Sequence, residues 1–242
     1  MFTSAATWAA LGNILLVNVV LSGDNAVVIA MAARGLRGKH QTQAIIWGSA
    51  AAIIMRVILT VFAVQLLQYP YLKIVGALLL LYIGVQLLAE GDDDESSVVE
   101  HTMLWAAIRT IMVADLVMSL DNVIGVAAAA KGNVVLLTIG LAISIPLIVF
   151  GSTVMLKLME RFSIIITVGG MLLGYLAGEM FVTDPAIHGW VMANMPNHDL
   201  HVIPGTLDIS IPGLFGAVLV YVGGKWWSRR SAAKARAAAA PK

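Results

Sequence analysis

The sequence predicts an all-α polytopic membrane protein of about seven transmembrane helices, built as two inverted three-helix repeats plus a C-terminal helix. Three observations predict it. The 242 residues are 60% hydrophobic and only 12% charged, whereas soluble domains carry about 25% charge. Seven apolar stretches reach the ~20 residues needed to cross a bilayer. A polar pattern, NVVLSGDN at 18–25, returns as DLVMSLDN at 115–122, 97 residues later and again inside an apolar run.

The apolar stretches run over residues 8–33, 43–67, 71–90, 103–130, 134–158, 163–183 and 211–227. Unpaired backbone groups are too costly in lipid, so each stretch must be a helix or part of a closed barrel. Barrel strands alternate over ~10 residues. These stretches are continuous and longer, which selects helices. The first lacks a preceding Lys or Arg and exceeds a signal-peptide core in length, so it is expected to stay as a span. The expected layout is one transmembrane domain over residues 1–227, with repeat one at 8–90, repeat two at 103–183, the seventh helix at 211–227 and a basic cytoplasmic tail at 228–242.

Basic residues set the orientation. Arg34, Arg37 and Lys39 follow the first stretch, Lys157 and Arg161 bracket the fifth-to-sixth turn, and Arg229, Arg230, Lys234, Arg236 and Lys242 lie in the tail. The other side offers Lys73 and Lys131. The N-terminus is therefore expected outside and the C-terminus in the cytoplasm, as in a bacterial inner-membrane protein. The acidic loop at 91–101 then falls inside and the long stretch at 184–209 outside. The low-complexity tail reads as a disordered anchor beside anionic headgroups.

The duplication extends past the polar motif. VGALLLLYIGVQ (75–86) aligns with VGGMLLGYLAGE (168–179), matching Gly76 to Gly169, Tyr82 to Tyr175 and Gln86 to Glu179; Gly48 matches Gly140 more weakly. Three spans per copy is an odd number, so the second copy enters from the opposite face. Inverted repeats are typical of secondary transporters, which bind substrate near the midplane where the repeats meet.

Intramembrane carboxylates are expensive unless paired or hydrated. On a regular helix Asn18, Ser22 and Asn25 share a face, with Asp24 at its edge, where Gly23 loosens the backbone. An antiparallel crossing of helices one and four near Ser22 and Ser119 brings Asn18 toward Asp121 and Asn122, and Asp115 toward Asp24 and Asn25. Three carboxylates, three amides and two hydroxyls would then share one axis. Clustered carboxylates repel when ionised and empty, and a divalent cation or protons relieve this. The all-oxygen set suits Mn²⁺, Mg²⁺ or Ca²⁺ and disfavours Zn²⁺ or Cu⁺. The competing reading is helix glue, since Ser, Asn and small residues also join membrane helices. It weighs most on Ser22 and Ser119 and least on the three aspartates.

The motifs LSGDNAVVIAMAARGL and ADLVMSLDNVIGVAAAAKGN resemble the TerC family of integral membrane proteins, in its YjbE-like branch, similar to the wider LysE-type transporter group. The resemblance runs to about residue 227. It implies manganese efflux, with metal-binding positions at Asn18, Asp24, Asn25, Asp115, Asp121 and Asn122. Manganese is then cargo, and no resident cofactor is implied. Asn18 stands where its mate is an acid, Asp115.

Accessory candidates are Ser22, Ser119, Glu179 and Arg56. Glu179 reads as a proton carrier, as a fourth acid of the site, or as a group wetted near its helix end. Tyr82 and Tyr175 read as cavity-lining or packing residues. Arg56, mid-helix, must face a cavity or an acid; Asp24 and Asp121 are its candidate partners, against a snorkelling or structural role. His188, His198, His201 and Asp199 read as a metal-collecting vestibule or as an ordinary polar loop. Pro146 and the glycines of the sixth stretch are candidate hinges. No nucleotide-binding fingerprint is present in the sequence, which points away from an enzyme and toward secondary transport. The chain has no cysteine, which removes disulfides, thiolate metal sites and Cys nucleophiles. The expected partners are a divalent metal ion, the lipid bilayer, and a further copy of the chain or the secretion machinery, with no nucleic acid. Rival expectations are export of Ca²⁺ or another small cation, or a non-transporting scaffold in stress response or secretion.

Overall fold

A computed structural model describes residues 12, 16, 23–66, 68–89, 100–130, 134–195, 199–203 and 207–238. The order is α1 (Gly23–Ala33), α2 (Gly38–Leu66), α3 (Leu72–Ala89), α4 (Glu100–Ala130), α5 (Val134–Arg161), α6 (Ile164–Val182), α7 (His188–Asn194), β1 (Asp199–Ile203), β2 (Leu207–Ser210) and α8 (Ile211–Ala238). Every apolar stretch carries a helix. Five contain segments long and apolar enough to cross a membrane: Gly38–Phe62, Leu72–Ala89, Thr102–Leu120, Leu137–Arg161 and Ile164–Val182. The described part of the first stretch, Gly23–Ala33, is apolar but shorter. In α8 the apolar run is diluted by glycines, tryptophans and Lys225.

Two details depart from the sequence reading. The 184–209 stretch is not irregular throughout: it holds α7 and an antiparallel hairpin pairing Asp199 with Ser210 and His201 with Asp208. DLHVI and LDIS are rich in β-branched and alternating residues, and the intervening Pro204-Gly205 is a turn signal. The basic tail, expected as disordered from residue 228, is helical to Ala238. Its alanines are the strongest helix formers.

The chain gathers into two compact units, residues 1–69 with 99–161, and residues 70–98 with 162–242. In the first, α2 packs along α4, α1 lies on α5 and α4, and α2 also meets α5. Met31, Ile111 and Leu141 are fully enclosed there. A Cβ on Gly48 would come 2.7 Å from Ile111 Cδ1, so the absent side chain admits Ile111 of α4. Pro146 lies inside α5, which continues unbroken to Arg161.

The second unit packs α3 on α6 and α8, and α6 along α8. Small residues let these backbones approach, as membrane helices require. A Cβ on Gly216 of α8 would sit 2.0 Å from the Gly174 carbonyl oxygen of α6, and one on Gly178 would sit 2.0 Å from the Pro212 carbonyl oxygen. Tyr175 packs its ring over Gly213, and its hydroxyl accepts the Ser210 N–H at 3.0 Å, fixing the start of α8. The Arg230 guanidinium stacks on Trp226, 3.7 Å from the ring centre.

Asp184, just beyond α6, is fully buried. Its carboxylate accepts from the backbone N–H groups of Tyr71 (2.9 Å), Lys73 (3.0 Å), Ile74 (3.2 Å) and Ala186 (2.8 Å). The first three are the orphan donors at the start of α3, so Asp184 caps α3 from a distant part of the chain. Tyr71 is held at φ 68°, a left-handed backbone that costs an L-residue about 1–2 kcal/mol. Desolvation raises the Asp184 pKa, but the four backbone donations outweigh it and hold the carboxyl below its ordinary value.

Trp47, Ile54, Ile58, Phe62, Trp105, Phe150 and Phe215 are exposed. Such an apolar exterior suits lipid rather than water.

Candidate functional site

Among the described residues the buried polar membrane-depth groups of the first unit come from α1, α2, α4 and α5, and on α5 Ser144 and Ser152 donate to carbonyls one turn back in their own helix. On α4, Asp115, Ser119 and Asn122 fall at spacings of four and three, one stripe of a regular helix. Asp115 and Ser119 are buried and Asn122 is half-buried. The Arg56 Nη2 of α2 donates to Asp115 Oδ1 in a buried ion pair. Ser119 Oγ donates to Asp115 Oδ2 at 3.3 Å. Arg56 therefore pairs with an acid, Asp115, that the sequence did not name as its partner; Asp24 lies within its field, and the side chain of Asp121 lies outside the described residues. The second-to-fourth helix contact, the most extensive of the first unit, carries the two residues to one place.

Asp24 lies in the first turn of α1 as described and is half-buried. Its Oδ1 accepts the Asn25 N–H at 2.8 Å, and it lies within electrostatic reach of both Arg56 and Asp115. That places an acid from each copy of the motif in one field. Asn25 is 2% exposed, and neither its Oδ1 nor its Nδ2 has a hydrogen-bond partner among the described residues. An unsatisfied buried amide is unusual and asks for an explanation. Ser49 Oγ, on α2, is likewise buried without a partner among the described residues. The sequence reading passed over Ser49; a lone small hydroxyl in an apolar helix gives no signal.

Asn18 and Ser22 lie outside the described residues, as does the side chain of Asp121. No group of three or more His, Cys, Asp or Glu side chains close enough to hold a metal exists among the described residues.

The remaining candidates fall elsewhere. Glu179 and Gln86 are half-buried on α6 and α3 of the second unit. Tyr82 is exposed and meets Trp227 edge-on at 6.4 Å. Tyr175 serves packing, as above. His188 is exposed and its Nδ1 lies 3.3 Å from the Val182 carbonyl oxygen. His198 lies outside the described residues, and so do the side chains of Asp199 and His201.

A family model, "Integral membrane protein TerC family", matches residues 3–232. The chain belongs to the TerC family. Among its TerC-like relatives is the "Uncharacterized membrane protein YjbE" of Bacillus subtilis (strain 168), 46% identical over 186 residues, covering 74% of this chain and 85% of the relative. YceF of the same organism is 25% identical over 189 residues, covering 74% of this chain and 73% of the relative. YkoY is 22% identical over 243 residues, covering 90% of this chain and 74% of the relative. No solved structure matches. The chain is thus a multi-pass integral membrane protein, with the helical, lipid-suited architecture described above.

Proposed function

We propose that this TerC-family protein is a secondary transporter that exports a divalent metal cation, Mn²⁺ foremost, from the cytoplasm. The observation that carries the reading is the buried Asn25 carboxamide, without a partner among the described residues, beside Asp24, a carboxylate within electrostatic reach of Asp115. An amide oxygen next to acids at membrane depth is the kind of donor set that a hard divalent cation takes. In this reading Asp24, Asp115 and Asp121 supply charge, and Asn18, Asn25 and Asn122 complete the shell. Glu179 is proposed as a proton relay, since carboxylates that bind a metal also compete for protons.

The proposed architecture is seven spans in an inner membrane, N-terminus out and C-terminus in, with two inverted repeats. Helix packing supports the repeat. Exchanging the copies turns the α2–α4 contact into the α5–α1 contact, and both occur in the first unit. Alternating access then follows as motion of one repeat against the other.

A second reading keeps the fold without transport. The Ser119 and Arg56 bonds to Asp115 join α2 to α4, which is what helix glue in a membrane scaffold does. Mn²⁺ binding to the purified protein, wild type beside Asp24→Asn and Asp121→Asn with Ca²⁺ and Zn²⁺ as competitors, separates the two. Binding lost in both variants supports the exporter. Binding retained in both, or variants that fail to assemble, supports the scaffold.

A further inference from the structure

Arg109 is a charge in a place that lipid does not tolerate freely. It lies inside the α4 segment Thr102–Leu120, which is long and apolar enough to cross a membrane, seven residues and about 10 Å along the axis from Thr102. Unlike Arg56 it is exposed, and it forms no ion pair among the described residues. A guanidinium inside the hydrocarbon is expensive, so it must reach an anion or the interface.

Its neighbours point to the anion. Thr102, Trp105, Ala106 and Arg109 are all exposed, at spacings of three, one and three, which is one stripe over two turns near the start of α4. Farther along the helix Met112, Val113 and Leu116 are half-buried. Helical side chains lean toward the start of their helix, so the Arg109 guanidinium comes back toward Trp105, which is 68% exposed. A Trp at the headgroup level keeps its ring in lipid and its N–H toward water. The small Ala106 leaves room beside that ring. The same end of α4 meets the basic turn between α1 and α2. A Cβ on Gly35 would lie 3.9 Å from Met103 Cε, and Arg37 in that turn and Lys39 just after it are exposed. Cations beside an apolar, aromatic stripe are complementary to a phosphate ester that carries acyl chains. A guanidinium also takes two phosphate oxygens at once.

We propose that this stripe binds one anionic phospholipid. Arg109 holds the phosphate, Arg37 and Lys39 face the headgroup, and Trp105 and Ala106 seat the glycerol and the first acyl carbons. The site stands apart from the metal-site reading above and survives its failure.

The test uses the full-length purified protein in detergent, with phosphatidylglycerol or phosphatidylcholine brominated on the acyl chain as the probe. Bromine quenches tryptophan fluorescence on contact, and the share of Trp105 is the difference between each protein and its Trp105→Phe counterpart. In the wild type, phosphatidylglycerol should quench Trp105 at a mole fraction at least about ten-fold lower than phosphatidylcholine, since each basic residue near an anionic headgroup contributes about five-fold. Arg109→Gln should lower that preference about five-fold, and Arg37→Gln combined with Lys39→Gln should lower it as well. Arg229→Gln, an exposed charge of the second unit, should leave it unchanged. Equal quenching by the two lipids in the wild type marks ordinary solvating lipid and overturns the proposal. An unchanged preference in Arg109→Gln, or an equal fall in Arg229→Gln, overturns it too. Quenching by neither lipid means that protein covers the stripe, and displacement of the lipid by millimolar inorganic phosphate assigns the cations to a soluble anion; either result overturns the lipid site. Should Arg109→Gln not fold, the Arg37 and Lys39 double variant decides: a reduced preference supports the proposal and an unchanged one overturns it.

Discussion

Arg56 on α2 and Asp115 on α4 form a buried ion pair, and Ser119 on the next turn of α4 donates to the other carboxylate oxygen. The pair ties two long helices of the first unit at membrane depth. Breaking it from one side is more damaging than removing it. Arg56→Gln should cost about 3–5 kcal/mol, because a buried carboxylate loses its guanidinium. The double variant Arg56→Gln, Asp115→Asn should recover most of that. Thermal unfolding in detergent, run as a double-mutant cycle, measures the coupling.

Asn25 should behave in the opposite way. Its buried amide has no partner among the described residues, so Asn25→Ala removes no hydrogen bond to them and should change stability by less than about 1 kcal/mol. Mn²⁺ binding should nonetheless fall. A melting temperature that drops by many degrees would show that the amide is bonded and structural.

Asp184 ties the start of α3 to the chain beyond α6 through backbone donors. Asp184→Ala should destabilise the second unit by about 2 kcal/mol, the upper range for a lost cap. The ionised form is the one that accepts these bonds, so its folded pKa lies below the ordinary value. Its contribution is fully present above the unfolded pKa of about 3.9 and is lost as pH falls through the lower folded value. Melting temperature against pH should therefore drop in acid for the wild type, and this component should be missing from Asp184→Asn.

Gly216→Ala tests the tight face of α8. In an ordinary helix interior this change gains up to about 1 kcal/mol. Here the new Cβ would meet the Gly174 carbonyl oxygen at 2.0 Å, so α6 and α8 must separate, at a cost of at least about 1–3 kcal/mol. Gly189→Ala, with nothing within 4 Å of its Cβ, is the control and should be close to neutral.

The apolar helices were legible because lipid imposes a single rule, an unbroken apolar run with every backbone group paired internally. The family was legible from the two S-x-D-N elements. What failed to read from the sequence depends on packing. Nothing in the chain tells Arg56 from a snorkelling side chain until α2 is laid on α4, and nothing in the sequence names Asp115 as its partner. Asp184 looks like a turn residue before Pro185, and its capping role exists only once α3 and α6 are neighbours. The helical tail was misread because its low complexity and charge suggested a loose anchor, whereas its alanines favour helix.

The most direct measurement of the central claim is Mn²⁺ flux in vesicles reconstituted with wild-type protein, Asp24→Asn or Asp121→Asn at matched insertion. Saturable Mn²⁺ transport by the wild type that falls to the empty-vesicle rate in both variants is the predicted result. Transport at the wild-type rate in both variants, or none in the wild type, contradicts the account.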